Sequence, residues 1–382
     1  RGDARLPQSE CHSGDDQLSD DDHQSLDDHP DDDLIKQSLK RPVRLRDEDA
    51  ETRRTQENVE AIGGMRNPRH AVRRFPRHKS VGKIALNIMM HCLAEDPAIE
   101  LAIFRALGDT SKKHKGPTEQ QIVRVRQALY KAMGISYSRR NRGLTQLEVD
   151  LFASWVAQSG DVDIDIQEWL MRGTPMGIEE QMQARGVFPP VDESTPPELR
   201  RPLDIYHQGF TNYRSLDEEP EGAKALMDLV ESGFVREFSS YADVLAFLGG
   251  QEPVTSKLAV VTNESDGVIK YRLILDCRVS GSNDAAARHE RILLPKAWDV
   301  VRDVMALRKA CGENDDVYLF VLDFKDAFYM LPLLGAERRY YTAHHSGKWY
   351  IWTRVAQGSL NGPNAFGRLS ALTGRMTQGM ME

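Results

Sequence analysis

Ten aspartates lie between residues 15 and 33, a stretch whose only large apolar side chains are two leucines. So many like charges repel one another, and too little apolar surface remains to build a core. Basic runs follow at 40–46 and 66–79. We therefore predict that residues 1–80 form a disordered tail, acidic and then basic. The basic runs allow two interpretations: a solvated tail, or a contact with nucleic acid or the import machinery of the nucleus.

The 382 residues leave room for two or three domains, and the 40% hydrophobic content is that of an ordinary water-soluble protein. No run of about 18 apolar residues is present, so we expect no membrane partner. No secretory signal is readable at the start. The cysteines lie far apart and form no CxxC pair, which argues against a zinc site or a disulfide framework. We expect an intracellular protein, with nucleus and cytoplasm both open. The cysteines are Cys11, Cys92, Cys277 and Cys311.

Apolar residues recur at helical spacing from residue 81 to about 190, which predicts a mainly helical domain over 81–190. Asp96 and Pro97 have the residue types that cap a helix and occupy its first turn. Thr145 and Glu148 have the spacing of a capping box. A proline-rich stretch then favours a linker over residues 191–220.

Three alternating aspartates, Asp161, Asp163 and Asp165, have the spacing of the first ligands in a calcium-binding loop. Such a loop needs glycine at its sixth position and glutamate at its twelfth. Ile166 and Arg172 occupy those positions here. The pattern therefore favours a capped helix start over calcium binding.

Residues 221–382 mix strand and helix patterns without strict alternation, which predicts an α+β fold with helices against one face of a sheet. A helix beginning at 221 ends at Gly233. A second predicted helix begins at 362, with Ala365, Leu369 and Leu372 on one face. Between them we predict strands at 256–262, 270–279, 317–324 and 349–355 and a helix at 292–312.

The apolar strand predicted at 317–324 ends on Asp323, and Asp326 follows three residues later. One interpretation makes Asp323 a strand-end residue and Asp326 the cap of a short helix that begins at Ala327. The other makes a carboxylate at the strand end a ligand for Mg²⁺, which binds one or two carboxylates together with substrate phosphates. Two such ions catalyse many phosphoryl transfers.

Four segments carry a resemblance to a known family. LDFKDAFYMLPL at 322–333 resembles the first palm motif of reverse transcriptases from retrotransposon and retroviral Pol polyproteins, and VAQGSLNGPNAF at 355–366 resembles the second. KYRLILDCRVSGSN at 270–283 is similar to their fingers segment, and KALMDLVESGFV at 224–235 to the helix that opens the fingers. The resemblance covers residues 200–382. It implies a right-hand polymerase fold, with fingers and a partial palm of the split βαβ type, preceded by the helical domain and the disordered tail.

The resemblance assigns roles to residues of the first palm motif. It implies that Asp323 is catalytic and binds two Mg²⁺ ions, with the backbone carbonyl of Phe324 as a second metal ligand. The backbone amides of Asp326 and Ala327 would bind the triphosphate of the incoming deoxynucleotide. The Phe328 ring would exclude a ribose 2′-hydroxyl.

The other motifs supply the rest of the implied nucleotide site. Arg272 would pair with phosphate through its planar donor fork and stack over the incoming base. Gln357 and Gly358 would line the nucleotide pocket, where glycine allows close backbone approach. Asp276 and Arg278 match a pair expected to be structural. The implied partners are an RNA or DNA template-primer and deoxynucleoside triphosphates.

The sequence departs from the family pattern in three places. Lys270 is the remaining candidate for a second basic fingers residue in the turn TNESDGVIK, and Gly362 replaces the usual serine between Asn361 and Pro363. No Tyr-x-Asp-Asp motif, which carries the other catalytic aspartates, occurs in the sequence. We therefore expect an N-terminal fragment of a reverse transcriptase, truncated after the second palm motif and inactive by itself. The alternative is an inactive relic or a non-catalytic nucleic-acid-binding module.

Overall fold

The computed structural model describes residues 77–108, 116–136, 145, 147–191, 201–206, 210–265, 268–312, 317, 319 and 324–381. The predicted tail lies outside these residues apart from its last four, which begin the first helix instead. The predicted strand at 317–324 also lies mostly outside them, including Asp323. The described residues belong to one compact unit.

Helices dominate the described part of the chain before residue 191. They are Arg77–Glu95 (α1), Pro97–Gly108 (α2), Glu119–Ala132 (α3), Val149–Ser159 (α4) and Ile166–Arg172 (α5). No helix in the described ranges is both long enough and apolar enough to cross a membrane.

One of the two predicted caps in this region forms. The Asp96 carboxylate accepts a hydrogen bond from the Ala98 N–H at 3.2 Å, and Pro97 begins α2 as predicted. The capping box predicted at Thr145 and Glu148 was wrong, because tertiary partners take both side chains. The Thr145 hydroxyl donates to the Met330 carbonyl at 3.0 Å. Glu148 accepts a hydrogen bond from a tyrosine hydroxyl, and α4 begins without a side-chain cap.

The second half mixes short strands with helices, so the α+β prediction is confirmed at the level of fold class. Its helices are Arg214–Glu218 (α6), Pro220–Glu231 (α7), Tyr241–Phe247 (α8), Ser282–Ala285 (α9), Ala297–Ala310 (α10) and Gly362–Met381 (α11), with 3₁₀ helices at Ala327–Met330 and Gly335–Tyr340. Its strands are Val235–Phe238 (β1), Lys257–Ser265 (β2), Val268–Asp276 (β3), Thr342–His345 (β4) and Lys348–Trp352 (β5).

The strands form two antiparallel sheets. One has the order β1-β5-β4, with Val235 opposite Trp352, and the other is the β2-β3 hairpin, with Lys257 opposite Asp276. Side chains alternate between the faces of a strand. On β3, Leu275 is therefore buried while Arg272 is exposed.

A single cluster of buried side chains joins the two halves of the chain. Trp169 and Leu170 of α5 belong to the same cluster as Leu275 of β3 and Leu369 of α11. A domain is defined by its own hydrophobic core. The segment predicted as a helical domain thus shares its core with the fingers-like and palm-like segments.

The three alternating aspartates lie in and beside that interior and face two arginines of α11. Arg375 binds Asp161 through two hydrogen bonds, at 2.7 and 2.8 Å. Asp161 also bonds to Nε2 of His78 at 2.7 Å, while the Trp155 indole donates to Nδ1 of the same ring at 3.0 Å. Because an indole N–H can only donate, Nδ1 of His78 is an acceptor, and Nε2 is the ring nitrogen that donates to Asp161.

Arg368 completes this buried network. It donates to Asp163 through Nε at 2.9 Å and to Asp165 at 3.0 Å, and its guanidinium lies 4.3 Å from the Trp169 ring centre. Arg185 makes two further hydrogen bonds to Asp165, at 2.8 and 2.6 Å. Asp165 stands at the start of α5 but makes no capping bond there. The predicted capped start was therefore wrong, since arginines take the carboxylate.

Replacing Arg375 by methionine removes one charge of a buried pair and leaves Asp161 uncompensated. We expect Arg375→Met to lower the free energy of unfolding by about 3–5 kcal/mol. Urea denaturation measures the change. Arg172→Met removes an exposed arginine paired with Glu168 in the same helix, so this control should cost less than about 1 kcal/mol. Equal losses in the two variants would contradict the prediction.

The same network makes stability depend on acid pH. Burial raises the pKa of Asp161, but the His78 hydrogen bond and the Arg375 charge outweigh it and hold this pKa well below its usual range. Burial also raises the pKa of Asp165, but the hydrogen bonds from Arg185 and Arg368 outweigh it and hold this pKa below its ordinary value. The unfolded chain therefore binds protons at these carboxylates more tightly than the folded chain does. The stabilisation is present above the unfolded pKa of about 3.9 and is lost as the pH falls below it.

This linkage predicts a difference between the native chain and Asp161→Asn. The variant is less stable at neutral pH, but its free energy of unfolding should fall less steeply between about pH 5 and pH 3, because its amide does not titrate. Urea denaturation at a series of pH values gives both slopes. Parallel pH profiles for the two proteins would show that Asp161 does not carry the linkage.

Candidate functional site

The described part of the first palm-like motif begins at Phe324, and Asp323 lies outside the described residues. The chain turns at Lys325 and Asp326 and enters the 3₁₀ helix Ala327–Met330. Asp326 has a φ of 56°, in the left-handed region that aspartate tolerates better than most residues. Its carboxylate is exposed and makes no capping hydrogen bond. The alternative in which the Asp326 side chain caps this helix is therefore wrong.

An aromatic contact joins the first motif to the last helix. Phe366 of α11 lies 5.4 Å from Phe324 and 5.9 Å from Phe328, measured between ring centres, with interplanar angles of 84° and 66°. Edge-to-face contacts of this kind stabilise beyond the area they bury. The Phe328 ring is partly buried and packs against the main core. Phe324 and Phe328 are thus brought together on one ring of the second motif.

Backbone hydrogen bonds join the two palm-like motifs directly. The Val355 N–H donates to the Leu331 carbonyl at 3.0 Å, and the Leu333 N–H donates to the Thr353 carbonyl at 2.9 Å. The end of the first motif therefore runs antiparallel to the segment that leads into the second. Both bonds use backbone groups, so this pairing constrains the side chains little.

A further backbone bond joins the second motif to the fingers-like hairpin. The Leu275 N–H of β3 donates to the Gln357 carbonyl at 3.2 Å. Gly358 follows with a φ of 117°, and a Cβ at this position would overlap the Leu275 carbonyl oxygen. Only glycine permits this approach. Gln357 and Gly358 are consequently held against β3, the strand that carries Arg272 on its exposed face.

Two asparagines for which no role was predicted hold the second motif in place. Asn283 donates to the Gly358 carbonyl at 2.9 Å and accepts from the Leu360 N–H at 2.8 Å. The Asn361 amide donates to the carbonyls of Met176 and Ala287, both at 2.8 Å. Their presence in the quoted fingers and palm segments was the available signal. It did not indicate which backbone groups they would bind.

Asp276 accepts hydrogen bonds in and beside the turn that follows β3. Its carboxylate accepts from the Tyr213 hydroxyl at 2.7 Å and from the backbone N–H groups of Arg278 and Val279 at 3.0 and 3.3 Å. It thus closes the turn after β3 rather than pairing with the Arg278 guanidinium.

Burial keeps two potentially reactive groups near the site neutral. It raises the pKa of the Cys277 thiol to about 12 and that of the Tyr329 hydroxyl to about 12. Neither group is a nucleophile at neutral pH. Within the part of the chain that the structure describes, the charged side chains of the quoted motifs that reach solvent include Arg272, Lys270 and Asp326.

The acceptor groups of the first motif suit a hard cation. The described residues contain no group of three or more His, Cys, Asp or Glu side chains placed to hold a metal. Carboxylate and carbonyl oxygens are the ligands that Mg²⁺ prefers, and Asp323 with the Phe324 carbonyl would offer one of each.

Comparisons with protein-family models and with curated proteins give no match to this chain.

The contact between Gly358 and β3 gives a direct test of the site geometry. Gly358→Ala combines an unfavourable φ with an overlap against backbone, so we expect the free energy of unfolding to fall by about 2–4 kcal/mol. Hydrogen exchange of the Leu275 amide should accelerate as its bond to Gln357 is lost. Gly347→Ala is the matched control, because Gly347 has a φ of 75° with open space around it and should cost about 1–2 kcal/mol. Equal costs, with Leu275 exchange unchanged, would contradict this geometry.

Proposed function

We propose that this chain belongs to an RNA-directed DNA polymerase related to retrotransposon and retroviral reverse transcriptases, with residues 221–382 forming its fingers and the first part of its palm. The observation that carries the proposal is the backbone pairing among three separated motifs. Leu275 of the fingers-like strand bonds to Gln357, and Val355 bonds to Leu331 at the end of the first palm-like motif. A nucleotide site built from three motifs requires this adjacency.

The proposed roles follow the chemistry of the groups. Asp323 and the Phe324 carbonyl would hold Mg²⁺, which when bound would supply positive charge at the primer hydroxyl and the triphosphate. The N–H groups in the first turn of a helix have no acceptor within it. The left-handed turn at Asp326 leads the chain into such a first turn, so the Asp326 and Ala327 amides are suited to triphosphate oxygens.

The exposed Arg272 supplies the charge that the amides lack. A guanidinium binds phosphate through two parallel N–H donors and stacks on planar groups. The Arg272 strand is tied to Gln357 and Gly358 through Leu275, so phosphate held by Arg272 would be presented beside the pocket that those residues line.

A primer-extension assay tests the polymerase assignment. It uses an RNA template with a DNA primer, deoxynucleotides and Mg²⁺, with this chain and with a version extended through the downstream reading frame. Because the sequence contains no Tyr-x-Asp-Asp, we expect extension by the longer version only. Asp323→Ala in that version should reduce extension at least about a hundredfold. Extension that survives Asp323→Ala would refute the assignment, and template binding without extension would favour a non-catalytic binding module.

Phe328 gives a second test, of sugar selection. The Phe328 ring packs against Phe366, so its position is fixed and it would limit the space next to the sugar of the incoming nucleotide. In the extended version, Phe328→Ala should raise ribonucleotide incorporation relative to deoxynucleotide incorporation by roughly tenfold or more. Phe152→Ala, which removes a partly buried ring of α4, should leave the ratio unchanged. Unchanged discrimination in Phe328→Ala would remove the gate assignment.

A further inference from the structure

Two arginines from separate elements meet on one aromatic ring outside the motifs. The guanidinium carbon of Arg236, on β1, lies 4.7 Å from the centre of the Phe247 ring of α8. The guanidinium carbon of Arg338, on the 3₁₀ helix Gly335–Tyr340, lies 5.7 Å from the same centre. Phe238 lies 5.1 Å from Phe247 and supports this ring from β1. Three elements thus converge to place two cations side by side.

The carboxylates next to these arginines in the chain are engaged elsewhere. Glu237, beside Arg236, pairs with Lys348 at 2.6 Å. Glu337, beside Arg338, is fully buried and accepts N–H groups from Met176 and Glu180. Among the described residues no carboxylate pairs with either guanidinium, and Nε of Arg338 is buried without a hydrogen-bond partner.

The positive charges of this cluster repel one another. Burial lowers the pKa of Arg338, and the charge of Arg236 lowers it further. Burial and the charge of Arg338 lower the pKa of Arg354 in the same way. Holding like charges together while removing water from them is unfavourable, and a bound anion relieves both costs. The aromatic ring offsets part of the cost by cation–π attraction.

We propose that Arg236 and Arg338 bind the phosphodiester backbone of a nucleic-acid strand, at a site separate from the nucleotide pocket. A guanidinium binds two phosphate oxygens through two parallel N–H donors. Contacts with the sugar-phosphate backbone do not depend on the base sequence. Arg236 is exposed on β1, and β1 pairs with β5. The chain after β5 runs through Arg354 to Gln357, so a strand bound here lies on the sheet that leads to the second motif.

This inference deepens the proposed function by adding a strand contact, and it does not require polymerase activity. Its test is the affinity of the full chain for a fluorescein-labelled oligothymidylate, measured by anisotropy at increasing KCl without Mg²⁺ or nucleotide. Each phosphate contact adds about 0.7 to the slope of log affinity against log salt for single strands. We expect Arg236→Gln and Arg338→Gln each to reduce the slope by about that amount and to weaken binding at low salt roughly tenfold.

Three comparisons separate this site from bulk charge and from misfolding. Arg172→Gln removes an exposed arginine already paired with Glu168 and should leave the slope unchanged. Arg236→Lys keeps the charge and should retain the slope that Arg236→Gln loses. Thermal unfolding of the Arg172 and Arg236 variants should match the native chain, because both side chains are exposed. Arg338→Gln should not lower the unfolding temperature, because it removes a partly buried charge that repels Arg236.

Several outcomes would overturn the proposal. These are failure of the native chain to bind the oligothymidylate, equal slope changes in Arg172→Gln, or loss of the slope in Arg236→Lys as well. Displacement of the strand from the native chain by inorganic phosphate or by thymidine triphosphate at low concentration would assign the arginines to a free anion instead. The direct binding measurement contains no nucleotide or metal. It can therefore be interpreted whether or not primer extension is detected, and primer extension can be interpreted whether or not this binding is detected.

Discussion

Two arginines of the last helix, Arg368 and Arg375, are buried, and they form ion pairs with three aspartates between α4 and α5. Removing such groups from water costs several kcal/mol each, and the cost is recovered only where nearly every hydrogen bond is made. The helix therefore has one acceptable position and rotation. The position of this helix then fixes the position of Phe366, which contacts both rings of the first motif, and of the Gly358 loop that precedes the helix.

The candidate site is consequently built mostly from backbone. The hydrogen bonds among the three motifs join main-chain groups, and the side chains that matter are those that let the backbones approach or that bind them. Gly358 has no side chain in the way of Leu275, while Asn283 binds the Gly358 carbonyl and Asn361 binds the carbonyls of Met176 and Ala287. Such a site can keep its shape while most of its surface changes. The groups proposed to meet substrate remain free to project from a rigid frame.

Local signals predicted local structure well. The β2 and β3 strands, the Asp96 cap and the buried face of α11 at Ala365, Leu369 and Leu372 all follow from spacing and residue type, which act over a few residues. The predictions fail where the structure of a segment depends on a partner that is distant in sequence. The local pattern at Asp161 and Asp163 predicts a loop or a helix start, because the arginines that bind them lie more than 200 residues away. The short strand β1 was not predicted, since it is defined by pairing with β5, more than 100 residues further along the chain. In the candidate site, Gly358 and Phe328 could be identified from motifs, whereas the clamping role of Asn283 depends on a contact that no local pattern encodes.

The separation of 205 and 214 residues between the paired charges also orders events during folding. Helices α1, α4 and α5 can form early, because their backbone bonds are local. Until α11 docks, however, Asp161 and Asp163 have no arginines opposite them, and the groove between those helices must stay hydrated. Closing so long a loop costs entropy before any contact repays it, and high contact order slows folding. The N-terminal helices should thus remain loosely packed on the ribosome and tighten together with the sheets, in one late step.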